Sequence, residues 1–284
     1  MDLTTYMAWI TVGAFIVLLT EIAAGRHKGI YKRRGEFRLL GLSMAIGRFL
    51  LGPIMSIAVA GFWGMALPGT DGALRDLPLW ASLPLVVVVT EFCFYWGHRW
   101  AHEGVKNRSL LWMLHRTHHS ASYMNVAVWM RVNVFWSVVV PTAWTIGLAI
   151  HLGLADAAGL TVALIAVWNI VTHANFRWDD AVRRHRAFGP AFRALEHVIV
   201  SPGMHHTHHG FGRDGASYRN FGVLLSVWDW VFGTLHIPDG RPWRYGLPGH
   251  DAHWLEELAY PVVRMGRPAT DASLLDSKMA ARNP

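Results

Sequence analysis

Residues 77–102, LPLWASLPLVVVVTEFCFYWGHRWAH, decide the fold class of this chain. The part up to Gly97 carries a single charged side chain, Glu91. Roughly 20 apolar residues are enough to cross the hydrocarbon core of a bilayer as an α-helix. The stretch therefore predicts a membrane helix. His98 and His102 follow at its end, four residues apart, and so share one face of that helix.

Four further apolar stretches resemble this one, at residues 7–25, 39–66, 129–150 and 157–175. Hydrophobic residues make up 52% of the chain and charged residues only 16%, with a mean hydropathy of +0.24. Soluble proteins carry more charge, typically about 25%. We therefore predict an all-α integral membrane protein with four to five transmembrane helices. In an alternative arrangement, residues 129–175 form a shallow or re-entrant hairpin.

The positive charge lies between and after these stretches. Segment 26–38 holds six Lys or Arg, whereas the linker at 151–156 holds none. By the positive-inside rule, segments 26–38, 98–125 and the region from residue 176 are cytoplasmic. In a bacterium the membrane would be the plasma or inner membrane. The net charge of +7 and the pI near 9.9 are then explained by orientation, and no nucleic-acid partner is predicted.

Most of the 17 histidines fall into four groups on the predicted cytoplasmic side. HxxxH supplies His98 and His102, and HRTHH supplies His115, His118 and His119. The third group is His173 alone, and the fourth, in PGMHHTHHG, comprises His205, His208 and His209. Within each cluster the spacing places the imidazoles on one helix face.

Nine convergent imidazoles indicate a metal centre. Imidazole binds iron, zinc, copper and nickel, and nine nitrogens are too many for one zinc ion but suit two metals with open positions. The lone cysteine, Cys93, excludes a Cys-based metal site. Glu91 lies two turns before His98 on the same face. It is predicted either to bind a metal or to hydrogen-bond a group that does.

The order of these motifs resembles the fatty acid hydroxylase/sterol desaturase superfamily of membrane enzymes. The resemblance rests on EFCFYWGHRWAH, HRTHH, THANF, SPGMHHTHH, YRNFG and WDWVFGT, and it covers residues 85–240. It implies a cytoplasmic helical cap that holds a histidine-bound dinuclear iron centre. It also implies O2 as co-substrate and hydroxylation or desaturation of a lipid, of a sterol or fatty acyl type. The nine histidines above match the family's ligands.

The chain departs from one subgroup of the family at Asn169. Some fatty-acid 2-hydroxylases have a histidine four residues before the isolated ligand, which here is His173. We predict that Asn169, like Glu91, supports the ligands. The tail motifs include Tyr218, Asn220 and Asp229, which we interpret as residues that hold the last histidine cluster.

Three regions are predicted: N-terminal membrane helices with the basic loop at 1–84, a catalytic domain at 85–240 and a cytoplasmic tail at 241–284. Because no flavin, NAD or haem motif is present, electrons must come from a separate donor. An acidic ferredoxin or a cytochrome b5-like protein with its reductase would suit the basic face. Two alternatives are a zinc-dependent membrane hydrolase and a non-enzymatic membrane protein that binds or transports metal.

Overall fold

A computed structural model describes residues 3–26, 34–250 and 252–265, without the side chains of residues 3–7, 48 and 53. Most of the predicted basic loop at 26–38 and the last part of the predicted tail, residues 266–284, lie outside the described residues.

The described chain is mostly helical. Three helical segments are long and apolar enough to cross a membrane: Glu36–Ala66, Leu79–Glu103 and Ala155–His173. The first comprises α2 (Glu36–Leu42), a π-helical segment (Ser43–Leu51) and α3 (Gly52–Ala66). The other two are α4 and α8, and an apolar α1 (Leu3–Ala23) precedes them all. These segments coincide with four of the five predicted membrane stretches.

The fifth predicted stretch, 129–150, is not one continuous helix. It contains the end of a 3-10 turn (Val126–Met130), a short α6 (Trp136–Val139) and α7 (Pro141–His151). Pro141 starts α7 because proline fits the first turn of a helix but not its interior. An 11-residue helix rises about 16 Å, roughly half of the hydrocarbon core. Helix α7 is therefore too short to cross the core by itself, whereas α8 is long enough to do so.

Helix α4 is the central element of the fold and packs against α7, α8 and α5 (Leu110–His119). Gly97 allows the approach of α7, because a Cβ atom there would lie 2.5 Å from Cγ of Pro141. At the end of α4 that carries His98 and His102, a layer of short helices completes the fold. These are α9 (Trp178–Arg184), α10 (Gly189–Leu195), α11 (Pro202–His209), α12 (Val227–Val231) and α13 (Trp254–Ala259).

The described structure departs from the all-α prediction at one place. Two two-residue strands, β1 (Gly210–Phe211) and β2 (Arg244–Tyr245), pair antiparallel. The pairing draws residues 244–245 of the predicted tail onto the end of α11, the helix that carries the last histidine cluster. The tail thus contributes to the structure around the candidate site.

Candidate metal centre

Four helices deliver the nine predicted histidines to one place. Helix α4 ends just beyond His102, and α8 ends at His173. Ser109 caps α5 by accepting a hydrogen bond from the Trp112 amide at 3.3 Å. Ser201 caps α11 in the same way through the Met204 amide at 3.4 Å. Each histidine cluster lies within the last turns of its helix, and the ends of the four helices meet.

The nine histidines separate into two groups. Within each group the potential ligand atoms lie within 4.8 Å of one another. The five-histidine group comprises His98, His102, His115, His119 and His208. The four-histidine group comprises His118, His173, His205 and His209. Each HxxHH cluster therefore contributes to both groups, which the sequence spacing alone does not reveal.

The Nε2 atoms point inward in both groups. In the five-histidine group the Nε2 atoms of His98 and His208 are 3.0 Å apart, and those of His115 and His119 are 2.9 Å apart. In the four-histidine group His205 Nε2 lies 3.0 Å from that of His173 and 3.1 Å from that of His209. Such close convergence of ring nitrogens is the geometry of a metal-binding donor set.

The outward nitrogens determine which tautomer is present. His98 Nδ1 lies 2.7 Å from the Phe221 carbonyl, and His208 Nδ1 lies 2.7 Å from the Arg219 carbonyl. A carbonyl oxygen only accepts hydrogen bonds, so both Nδ1 atoms carry the proton. In the neutral rings the Nε2 atoms then face each other as lone pairs. That arrangement is repulsive unless a cation lies between them, and it therefore fits a bound metal.

Burial keeps these imidazoles in the form that binds metal. Loss of solvation lowers the pKa of His118 to about 4. The same cause lowers the pKa of His119, His205 and His209 well below the ordinary value. Charging a buried group without a partner is unfavourable, so the neutral state prevails at neutral pH. Neutral imidazole is the ligand form.

Glu91 lies outside both groups. Its Oε2 accepts hydrogen bonds from the amides of Leu224 and Leu225, at 2.8 and 2.9 Å. These two residues end the loop at 219–225. In this loop the Arg219 and Phe221 carbonyls accept hydrogen bonds from Nδ1 of His208 and His98, respectively. Of the two predicted roles of Glu91, the geometry favours the supporting one: Glu91 fixes a loop, and the loop orients two histidines.

Asp229 and Asn220 hold the same loop from its other side. Asp229 accepts hydrogen bonds from the amides of Phe221 and Gly222, at 2.7 and 2.8 Å. Asn220 donates to the Met204 carbonyl at 3.1 Å and adopts a positive φ of 57°. Asparagine tolerates this left-handed conformation better than most residues. The tail motifs therefore supply residues that hold the loop at 219–225, which orients His98 and His208.

Asn169 contributes through its backbone. Its carbonyl oxygen accepts a hydrogen bond from His173 Nδ1 at 2.7 Å. Its side-chain amide donates to the Ile165 carbonyl of the preceding turn at 3.1 Å. Any residue in this helical turn offers the same carbonyl, so the orientation of His173 does not depend on an asparagine.

A buried ion network supports the N-terminal end of α11. Arg183 contacts Asp179, Asp180 and Glu196, and Glu196 accepts a hydrogen bond from the cap residue Ser201 at 2.6 Å. Asp179 also accepts the Gly203 amide at 2.7 Å. A carboxylate at the start of a helix stabilises its unpaired amides. The network thus fixes the helix that supplies three of the histidines.

A second buried network centres on Arg131. Its guanidinium contacts Glu36 at 2.7 Å and Glu257 at 3.3 Å, and it also donates to the Thr117 carbonyl. The carbonyl of Arg131 itself accepts His118 Nδ1 at 3.3 Å. One residue therefore ties α2 and α13 to the end of α5 and orients a histidine of the four-histidine group. No motif of the sequence marks Arg131 for this role.

A cavity of about 700 Å³ extends from the apolar helices to the two histidine groups. It touches His115 of the five-histidine group and His118 of the four-histidine group. Among the described residues that line it, none is Asp, Glu, Lys or Arg. Ile57 lines it and keeps 75% of its own area exposed, so the cavity communicates with the outer surface of α3. The other walls include Met55, Ala60, Val140, Ala143, Ile146, Ile150 and Ile165.

Comparison with known proteins gives one matching family and several relatives. Residues 83–234 match the sequence profile of the fatty acid hydroxylase family. The chain is 27% identical to an alkylglycerol monooxygenase of Danio rerio over 183 residues, 63% of this chain and 36% of that protein. It is 31% identical to the ornithine lipid hydroxylase OlsE of Rhizobium tropici over 199 residues, 67% of this chain and 53% of that protein.

A shorter match of 75 residues is 36% identical to the Delta(7)-sterol 5(6)-desaturase ERG3A of Gibberella zeae, covering 24% of this chain and 20% of that protein. The matches to the alkylglycerol monooxygenase and OlsE span between about a third and a half of those proteins. No solved structure is significantly similar to the chain.

Proposed function

Because the chain belongs to the fatty acid hydroxylase family, we propose that it is a membrane oxygenase that uses O2 to hydroxylate or desaturate a lipid chain. One observation carries the proposal: two groups of histidines lie side by side, and both contact the same uncharged cavity open to the membrane side. The predicted family resemblance is confirmed by the family match.

The donor set fits two iron ions. Five imidazoles exceed the four ligands of a tetrahedral zinc site, whereas six-coordinate iron would accept them and keep a position open. The other four imidazoles would hold the second ion. When bound, this pair would supply the activation of O2 that removal of hydrogen from an unactivated C–H bond requires.

The chain's own residues position the reactants. The Arg219, Phe221, Arg131 and Asn169 carbonyls hold the ring orientation of four histidines. The cavity walls hold an aliphatic chain against His115 and His118 and exclude water from the reacting carbon. Substrate would enter sideways from the bilayer past Ile57, without crossing the aqueous phase.

A separate protein would supply electrons at the proposed cytoplasmic face. A small cleft of about 20 Å³ touches His102, His119 and His209 and is bounded by the loop at 210–218. Exposed Arg213 lies in that loop, and exposed Arg244 lies on the paired strand. Positive charge around a cleft that touches the histidines would suit an acidic ferredoxin or cytochrome b5-like donor.

Metal analysis tests the centre without requiring a known substrate. We expect about two iron ions per chain after anaerobic purification from membranes. One zinc ion per chain without iron would contradict the oxygenase and favour the hydrolase alternative.

Lipid analysis tests the reaction. We expect an O2-dependent hydroxylated or newly unsaturated lipid in cells that express the protein, and none in cells with the His118→Ala variant. Ala143→Phe, which narrows the cavity, should reduce product and leave the iron content unchanged. The matched control is Ala143→Ser, which preserves the space. Full turnover in Ala143→Phe would show that the substrate lies elsewhere.

A further inference from the structure

Helix α12 presents two different sides. Its buried side carries Asp229, which holds the loop at 219–225. Its other side carries Trp230 and Val231, which are 57% and 62% exposed. Exposed Leu195 and Val198 lie in the neighbouring segment, where the His197 ring is 5.1 Å from that of Trp230. Neighbouring exposed apolar side chains of this kind are typical of a surface that contacts a protein partner or a membrane.

The position of α12 on α4 identifies that partner. Exposed Leu85, Val88, Val89 and Phe92 recur on α4 at helical spacing and form its lipid-facing stripe. Two rings, of Trp228 in α12 and of Phe232 directly after it, pack on the same side of α4. The ring centroids of Trp228 and Phe92 are 4.9 Å apart, and so are those of Phe232 and Trp96. The exposed surface of α12 is therefore continuous with the lipid-facing side of a membrane helix.

Two tryptophans set the depth scale. Trp80 and Trp100, both exposed, lie 20 residues apart on α4, which corresponds to about 30 Å of rise and to the thickness of the hydrocarbon core. Tryptophan favours the boundary between headgroups and hydrocarbon. Phe92 and Trp96, the residues that α12 covers, lie about 6–12 Å from Trp100 toward the bilayer centre.

We infer that α12, together with residues 195–198, is embedded in the boundary region of the bilayer on the side of the metal centre, with Trp230 and Val231 in contact with lipid. The surface is a lipid-binding surface and not a protein-docking site. Since α12 also carries Asp229, contact with the bilayer holds the loop that orients His98 and His208. The metal centre is thereby anchored to the membrane through a short helix outside the long spans.

Spin labelling of the full chain tests the depth. The single cysteine allows a Cys93→Ala background in which Trp230→Cys is labelled and the protein is reconstituted into phosphatidylcholine vesicles. Val88→Cys serves as the lipid-facing reference, and Arg213→Cys, where the side chain is 83% exposed, as the aqueous reference. Relaxation by O2, which partitions into lipid, is compared with relaxation by a water-soluble nickel complex.

We expect the label at 230 to have greater access for O2 than for nickel, with a smaller O2 preference than the label at 88, which lies closer to the bilayer centre. Nickel access equal to that at 213 would overturn the inference. So would a label that is aqueous in vesicles and becomes shielded only when an acidic redox protein is added, because α12 would then be a protein-docking site. Val231→Cys repeats the measurement in case the tryptophan is needed for folding.

A second measurement tests the coupling to the metal centre and does not depend on turnover. Val231→Asp should lift α12 from the bilayer, because a charged side chain is unfavourable there. The rate of metal loss to a chelator should then increase by roughly 10-fold, which is the size of effect expected when residues that orient metal ligands are lost. Val231→Leu, which keeps the apolar contact, should match the unaltered protein. Equal rates in both variants would overturn the coupling.

Discussion

The two histidine groups differ in how their rings are held. In the five-histidine group, His98 and His208 are oriented by carbonyls of one loop, and that loop depends on the carboxylates of Glu91 and Asp229. In the four-histidine group, His118 and His173 are oriented by the carbonyls of Arg131 and Asn169, which belong to separate segments. The ring orientations in the five-histidine group therefore depend on a single loop. Those in the four-histidine group depend on the packing of several elements.

This difference predicts which substitutions act on which metal. The groups share two helices, α5 and α11, but they have separate outer supports. If the supports act locally, substitutions on each side should affect one ion more than the other. Four kinds of substitution, from the largest expected effect to the smallest, test these supports.

Removal of a ligand should have the largest effect. We expect His208→Ala and His205→Ala each to abolish O2-dependent product, because even outer partners of metal ligands contribute 10–100-fold in metal affinity and a ligand should contribute more than about 100-fold. Iron analysis should give about one ion per chain in each variant. Loss of both ions from either variant would show that the groups bind cooperatively. His151→Ala is the control, since His151 contacts Thr70 at the far end of α7.

Removal of the Arg131 guanidinium should come next. Arg131→Met removes the guanidinium that contacts the buried carboxylates of Glu36 and Glu257. Loss of one member of a buried ion pair typically lowers the free energy of unfolding by about 3–5 kcal/mol. A lowered midpoint of thermal unfolding in detergent would measure this effect. Arg131→Lys should lower the midpoint less, because it keeps the positive charge. An unchanged midpoint in Arg131→Met would contradict the assigned role.

Loss of the Glu91 carboxylate should act on the five-histidine group. Glu91→Ala leaves the Leu224 and Leu225 amides without their acceptor. We expect metal affinity to fall by roughly 10–100-fold, with one ion lost before the other in a chelator titration. Glu91→Gln keeps one acceptor oxygen, so metal affinity should fall less in this variant. Equal release of both ions from Glu91→Ala would refute the local role of the loop.

Asn169→Ala should have the smallest effect. His173 is oriented by the backbone carbonyl of residue 169, which alanine retains. The side-chain bond to Ile165 is lost, a change of about 1 kcal/mol or less, and the cavity wall that Asn169 helps to form becomes smaller and less polar. Iron content and its release by chelator should match those of the unaltered protein. Early loss of the ion from the four-histidine group would show that the amide itself supports the site.

Much of the fold and the candidate site could be predicted from local patterns. The apolar stretches predicted α1, α3, α4 and α8, because a membrane helix requires a continuous run of apolar side chains. The histidine spacings predicted convergent imidazoles, because the helical repeat places i, i+3 and i+4 on one face. The broken segment around Pro141 was harder to predict, since its composition matches that of a continuous span.

The residues that orient the histidines could not be predicted in the same way. Most of them act through backbone carbonyls, which every residue possesses, so no side-chain signal marks Arg219 or Phe221. Arg131 acts through carboxylates 95 and 126 positions away in the chain. Glu91, Asn220 and Asp229 were visible in motifs, but their contacts became clear only once the loop was placed.

The sequence by itself determined that the chain is built from apolar helices and that nine histidines can act together, because both properties follow from composition and the helical repeat. The tertiary structure decided how the nine divide into five and four. It also decided that each HxxHH cluster serves both groups and that an uncharged cavity reaches them from the membrane side. Those features depend on distances between residues far apart in the chain, and such distances are set only when the helices pack.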